Sequence, residues 1–464
     1  MHPTQWRPST HLMVAVGVLA IVAAVVAATA LFTASGRGAS GAQIPPPPPA
    51  VTAKPSIVPV AATAPVPSKS ALAATLAAVV ADPNLGKLGG RVTDAMTAKE
   101  LWRQQDGLLM QPASTNKTLT TAAALLALDR EARVTTRVVA AEQPGASGVI
   151  VLVGGGDPTL SAAPPGQDTW YHGAARISDL ADQVRRSGVT PTAVQVDTSL
   201  FSGPTMARGW DPADIEGGDI APIESVMLDA GRIQPATDES RRSVTPALDA
   251  GHALATALGV DPQQVTIAGH PAPAGARQLG AVQSASLIER LNEMMSVSDN
   301  VMAECIAREV AASMQRPLSF TGAVDALTNR LNTAHIDTSG AFLHDSSGLS
   351  VDDRLSAKTL DAVVQAAAGP DQPSLRPLLD LLPIAGGSGT LSDRFLDTVA
   401  NTGPAGWLRA KTGSLTAINA LAGVVTDRSG RVLTFALISN DAGPTGRTAI
   451  DAVATTLWSC GCAT

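Results

Sequence analysis

Five consecutive prolines at 45–49 mark a stretch of this chain that cannot pack a core of its own. Proline has no amide donor and holds φ near about −65°, so a run of them neither pairs in a sheet nor continues a helix. Nine prolines fall within 34–69, among Ala, Ser, Thr and Gly. That stretch reads as an extended linker, with a reach on the order of 100 Å at about 3.1 Å per residue. Residues 12–32, ahead of it, carry no charge and one polar side chain, Thr29. About 21 apolar residues are enough to cross a bilayer core of ~30 Å as a helix. Arg7 precedes the run, which orients the amino terminus to the cytoplasm and the remainder outward. A cleaved export signal competes with the anchor, because small residues at 28–30 and 34–36 offer cleavage sites. On either reading 1–33 is a cytoplasmic tail and membrane anchor or a signal sequence, and the rest works in the cell envelope.

Beyond the linker the 464-residue chain is long enough for large cores, and 45% apolar against 16% charged residues favours folded structure. A net charge of −7 argues against a nucleic-acid partner. The seven histidines and three cysteines lie without zinc spacing, and no HExxH pair occurs, so no metal or other cofactor is expected. Periodicity predicts helices over 70–81, 115–128, 286–295, 301–312, 323–331, 357–368 and 447–458. Strands are predicted over 134–140, 149–153, 407–411, 417–425 and 432–438. Between 161 and 281 Pro and Gly become frequent and elements shorten, which marks an inserted subdomain. Three successive strands followed by a helix, with a helical block before them, predict an α/β sandwich.

Three short patterns carry chemistry. Ser114-Thr115-Asn116-Lys117 places a hydroxyl and an amine three positions apart at a helix start, close enough for a neutral lysine to take the serine proton. Its structural alternative is a helix cap with a solvated first-turn lysine. Ser298-Asp299-Asn300 stands just before a helix, where capping is again the simpler reading. Lys411-Thr412-Gly413-Ser414 closes a strand. The lysine there can hold a carboxylate, Thr412 and Ser414 can add hydroxyls, and Gly413 lets a ligand lie close. An edge-strand lysine that deters aggregation is the alternative. Lysine is scarce, at positions 54, 69, 87, 99, 117, 358 and 411 only, so two of seven fall in these patterns.

In the order S-x-x-K, S-D-N, K-T-G, the set resembles the penicillin-recognising serine acyl-transferases. GGGDPTL at 154–160, DSSGLS at 345–350 and LPIAGGSGTL at 382–391 look like the class C low-molecular-mass penicillin-binding proteins, which are D-alanyl-D-alanine carboxypeptidases and endopeptidases. The resemblance spans about 70–460. It implies a transpeptidase-like fold, an antiparallel sheet flanked by helices plus a helical subdomain, formed by 70–160 and 282–464. An α+β insert at 161–281 would lie between the first two motifs.

It also implies roles. Ser114 would attack the penultimate D-alanine of a peptidoglycan stem peptide and Lys117 would act as base. Ser298 would relay a proton, and Asn300 would position Lys117 or the substrate. Lys411, Thr412, Gly413 and Ser414 would bind the terminal carboxylate, with the amides of Ser114 and Ser414 as oxyanion hole. β-Lactams would be covalent inhibitors. Lys117 would need its pKa lowered by roughly 3 units, by burial and by the like charge of Lys411. A β-lactamase or esterase of the same fold, or an envelope-binding protein with a relict site, are the rival readings. Cys305 either bridges to Cys460 or Cys462 or stays a buried free thiol. Asp345 either borders the site or opens a turn.

Overall fold

The structure, a computed structural model, describes residues 63–141, 148–235, 237, 240–396 and 403–461. The expected anchor at 12–32 and nearly all of the linker lie outside them. Among the described residues no helix is long and apolar enough to cross a membrane.

In chain order the strands are β1 (Lys87–Asp94), β2 (Glu100–Gln104), β3 (Thr135–Ala140), β4 (Val149–Val153), β5 (Ala193–Asp197), β6 (Val265–Ile267), β7 (Gln278–Gln283), the short β8 (Ala341–Phe342) and β9 (Arg354–Leu355), then β10 (Leu408–Leu415), β11 (Ile418–Thr426) and β12 (Val432–Asn440). One sheet has the order β10-β11-β12-β1-β2 and is antiparallel throughout. Strand alternation divides its side chains between two cores. Ala420, Ala422, Val424, Ala436 and Ile438 face the helical block Leu287–Val297, Asn300–Ser313, Phe320–Thr333 and Ala357–Ala368. Leu421, Val425, Leu433, Phe435 and Leu437 face the helices Lys69–Leu76 and Gly446–Ser459.

The helix Lys117–Ala127 runs through the first core, and every residue from Lys117 to Leu125 is buried. Such a helix has no polar face, which is why its threonines sit inside. The sequence predicts an α-helix from 115. Instead a 3₁₀ turn, Ala113–Asn116, precedes it, and Ser114 caps nothing. In a 3₁₀ turn side chains three apart eclipse, which aligns Ser114 with Lys117.

The second sheet has the order β6-β5-β4-β3-β7 and is mixed: β3 pairs antiparallel with β4 and β7, while β4-β5 and β5-β6 are parallel. Its strands straddle position 161, where the sequence suggested a boundary, because β4 pairs in parallel with a strand some forty residues onward. Helices Ile177–Arg186 and Pro246–Leu258 cover one face. In the glycine run at 154–156 the Gly154 and Gly156 amides donate to the Asp197 and Ser225 carbonyls, and a Cβ on Gly155 would lie 2.1 Å from the Thr135 carbonyl oxygen. Cys305 is a buried free thiol, so the bridge considered for it does not form, and Cys460 is disulfide-bonded.

Candidate active site

The turn that carries Ser114 is held from two sides. Ala113 sits at φ 48°, an uncommon conformation for a residue with a side chain. A Cβ on Gly348 would come within 2.0 Å of the Ala113 carbonyl oxygen, and one on Gly413 within 2.7 Å of that of Pro112. Gly413 is therefore required by the neighbouring turn, a demand separate from the room for a ligand expected of it. The Thr115 hydroxyl donates to the Pro112 carbonyl at 2.6 Å and closes the turn.

Lys117 is fully buried. Its ammonium donates to Ser114 Oγ at 3.0 Å, to Asn300 Oδ1 at 2.5 Å and to the Ser347 carbonyl at 2.9 Å. Asn300 opens the helix Asn300–Ser313 and donates from Nδ2 to the Asp219 carbonyl at 2.9 Å. Asp299 supplies the cap, accepting from the Met302 amide at 2.9 Å. This leaves its two neighbours free to face the cavity. Ser298 ends the preceding helix in the left-handed region at φ 64°.

Strand alternation on β10 turns Lys411 and Gly413 toward the Ser114 turn, while Thr412 and Ser414 line the cavity onto which Ser114 opens. Lys411 lies on an edge strand yet is fully buried, so it is no solvent-facing gatekeeper. It donates to Ser298 Oγ at 2.8 Å and to the Thr412 carbonyl at 3.1 Å. The Thr412 and Thr390 hydroxyls are 2.8 Å apart. A cavity of about 430 Å³ is lined by Ser114, Ser298, Asn300, Thr412 and Ser414, with Thr390, Asp219, Arg394 and Arg447 around them. Asp345 opens a turn: it accepts from the amides of Ser347, Gly348 and Ser350 and from the Trp210 indole, and does not line the cavity.

Burial pushes the Lys117 ammonium down to about 8, against the pull of Asp345, Asp299, Glu304 and Asp219. Lys411 is driven well below the usual lysine range, by burial first and then by the positive charge of Lys117. The like charge invoked from sequence to help Lys117 thus bears visibly on Lys411, which no carboxylate among the described residues offsets. A serine hydroxyl against an amine close to neutrality is the arrangement a nucleophile needs.

The Asp219 and Ser347 carbonyls carry no side-chain signal, so sequence reasoning passed over them. Thr390 lies inside the 382–391 stretch, where its place beside Thr412 is a tertiary fact.

Residues 72–242 and 235–457 match the D-Ala-D-Ala carboxypeptidase 3 (S13) family, and 1–59 match the N-terminal domain of Rv3627c-like carboxypeptidases. The chain is 70% identical to "Carboxypeptidase Rv3627c" of Mycobacterium tuberculosis over all of both chains. It is 28% identical to the D-alanyl-D-alanine carboxypeptidase of Actinomadura sp., over 82% of this chain and 83% of that one. Its fold is shared with penicillin binding protein 4 of Haemophilus influenzae, at a TM-score of 0.67 and 22% identity, over 84% of this chain and 98% of that one. With its motifs in this geometry, the chain belongs to the D-Ala-D-Ala carboxypeptidase 3 (S13) family.

Proposed function

We propose that this protein is a serine-type D-Ala-D-Ala carboxypeptidase that trims peptidoglycan stem peptides through an ester on Ser114. The observation that carries the reading is the 3.0 Å contact between Lys117 Nζ and the cavity-lining Ser114 Oγ. Neutral Lys117 takes the hydroxyl proton as Oγ bonds to the carbonyl carbon of the penultimate D-alanine. The oxygen of that carbonyl becomes negative and is met by the Ser114 and Ser414 amides, each such donor being worth roughly 2.7 to 4 kcal/mol. The C–N bond then breaks, and the proton that Lys117 took passes through the Ser298 hydroxyl to the leaving D-alanine nitrogen, which returns Lys117 to its neutral form. Lys411, with the Thr412 and Ser414 hydroxyls, holds the terminal carboxylate. Water next adds to the ester, Lys117 takes its proton, and Ser114 regains its hydrogen as it departs.

A β-lactam enters the same path, but its leaving nitrogen stays tethered, so the ester persists. Cleavage of cross-linked stem peptides uses the same bond changes, with a longer leaving group in the open cavity. The apolar run at 12–32 would anchor the enzyme to the cytoplasmic membrane, with 34–69 carrying the catalytic part out into the envelope. Ser114→Ala is expected to abolish labelling by penicillin and release of D-alanine from a pentapeptide. Labelling at the wild-type rate in that variant would overturn the reading.

A further inference from the structure

The middle residue of Ser298-Asp299-Asn300 is held from outside the cavity. Asp299 is buried, and while Oδ1 caps its helix, Oδ2 accepts from the Tyr171 hydroxyl at 2.5 Å. Arg232 donates to the same hydroxyl at 2.7 Å and lies 3.6 Å from Asp299 Oδ2. The Arg232 guanidinium is itself stacked 4.4 Å over the Trp170 ring. Tyr171 is buried, is the sole tyrosine of the chain, and does not line the cavity. Both residues come from the region between the first two motifs, as does the Asp219 carbonyl that anchors Asn300.

The backbone they brace is the one that needs bracing. Ser298 is held at φ 64°, where a side chain is disfavoured, and such a conformation persists only when its surroundings over-determine it. If Asp299 shifts, Ser298 leaves Lys411 and Asn300 leaves Lys117. Burial alone would raise the Asp299 carboxyl, but Arg232, Arg242 and the Tyr171 hydroxyl hold it below the usual carboxylate range, so it stays charged and tightly bonded.

We infer that Tyr171 and Arg232 are positioning residues, which lock Asp299 and so set Ser298 and Asn300 against the two lysines. The inference rests on the catalytic reading of Ser298 and Asn300, which Ser114→Ala tests separately.

The test uses the full chain with Tyr171→Phe and Arg232→Lys. Active-site titration with penicillin, the single-turnover acylation rate and steady-state D-alanine release are measured beside thermal unfolding. Tyr171→Phe is expected to bind one penicillin per chain and to melt within a few degrees of wild type. Its acylation rate and kcat should fall about tenfold or more with KM within about twofold, because Tyr171 does not line the cavity. Adding Asp299→Asn to Tyr171→Phe should cost less than Asp299→Asn costs alone, since the two act as a unit. Wild-type acylation in Tyr171→Phe, a loss confined to KM, or a loss that matches the fall in titratable sites would overturn the inference. Should Tyr171→Phe fail to fold, Arg232→Lys decides on the same criteria, and failure of both to fold would assign the cluster to stability instead.

Discussion

In the antiparallel sheet, β11 and β12 are buried along almost their whole length, on both faces. In the mixed sheet, β3 and β7 leave residues open to solvent on the face that the helices Ile177–Arg186 and Pro246–Leu258 do not cover. The two sheets treat a cation accordingly. Arg137 on β3 is exposed, whereas Lys411 on β10 is fully buried and deprived of water. Desolvation is what brings an amine toward neutrality. Packing on both sides supplies the dry surroundings that Lys411 has and Arg137 lacks. The region built on the mixed sheet contributes support from behind, through Tyr171, Arg232 and the Asp219 carbonyl.

The contrast is broken most directly at the buried base. Lys117→Arg keeps the charge but cannot release it, because a guanidinium stays protonated. Single-turnover acylation by penicillin is expected to fall by about 10²- to 10⁴-fold, the span typical of a lost general base. Next comes Gly413→Ala. Its new methyl would press on the Pro112 carbonyl and displace the Ser114 turn. A misplacement on the order of 1 Å costs about 10²-fold, so a loss of that size is expected in kcat.

The pH profile sharpens the comparison. Lys117 is active as the neutral amine, so kcat/KM should rise with pH by up to about tenfold per unit and level off above about 8. A rise that continues to the ordinary lysine value near 10.5 would show that burial does not tune it. The smallest effect on chemistry belongs to the mixed sheet. Leu152→Ala empties a fully buried site there and should cost about 2–5 kcal/mol in unfolding experiments. The kcat of the folded fraction should be unchanged, whereas a matching drop would mean that this sheet's core is coupled to the site.

Much of the fold was legible where the signal is local. The C-terminal strands and helix were placed within a few residues, since apolar alternation and helical periodicity each fit in a short window. The parallel pairing of β4 with β5 was not, because its partners are far apart in sequence. At Asp299 the capping and catalytic readings proved compatible: the aspartate caps, and that frees the residues on either side. At Gly413 the motif shows nothing of a second demand on the glycine, because the Pro112 carbonyl that leaves no room for a Cβ is distant in sequence.

Residue order by itself settled which reactive groups are present and how adjacent ones are spaced, since turn and strand geometry act over a few residues. The folded chain decided that two ammonium groups lose their water, that one of them meets Ser298 and the other Asn300, and that a lone tyrosine grips Asp299. Those outcomes depend on solvent exclusion and on contacts between distant segments, which no stretch of sequence specifies until the whole has packed.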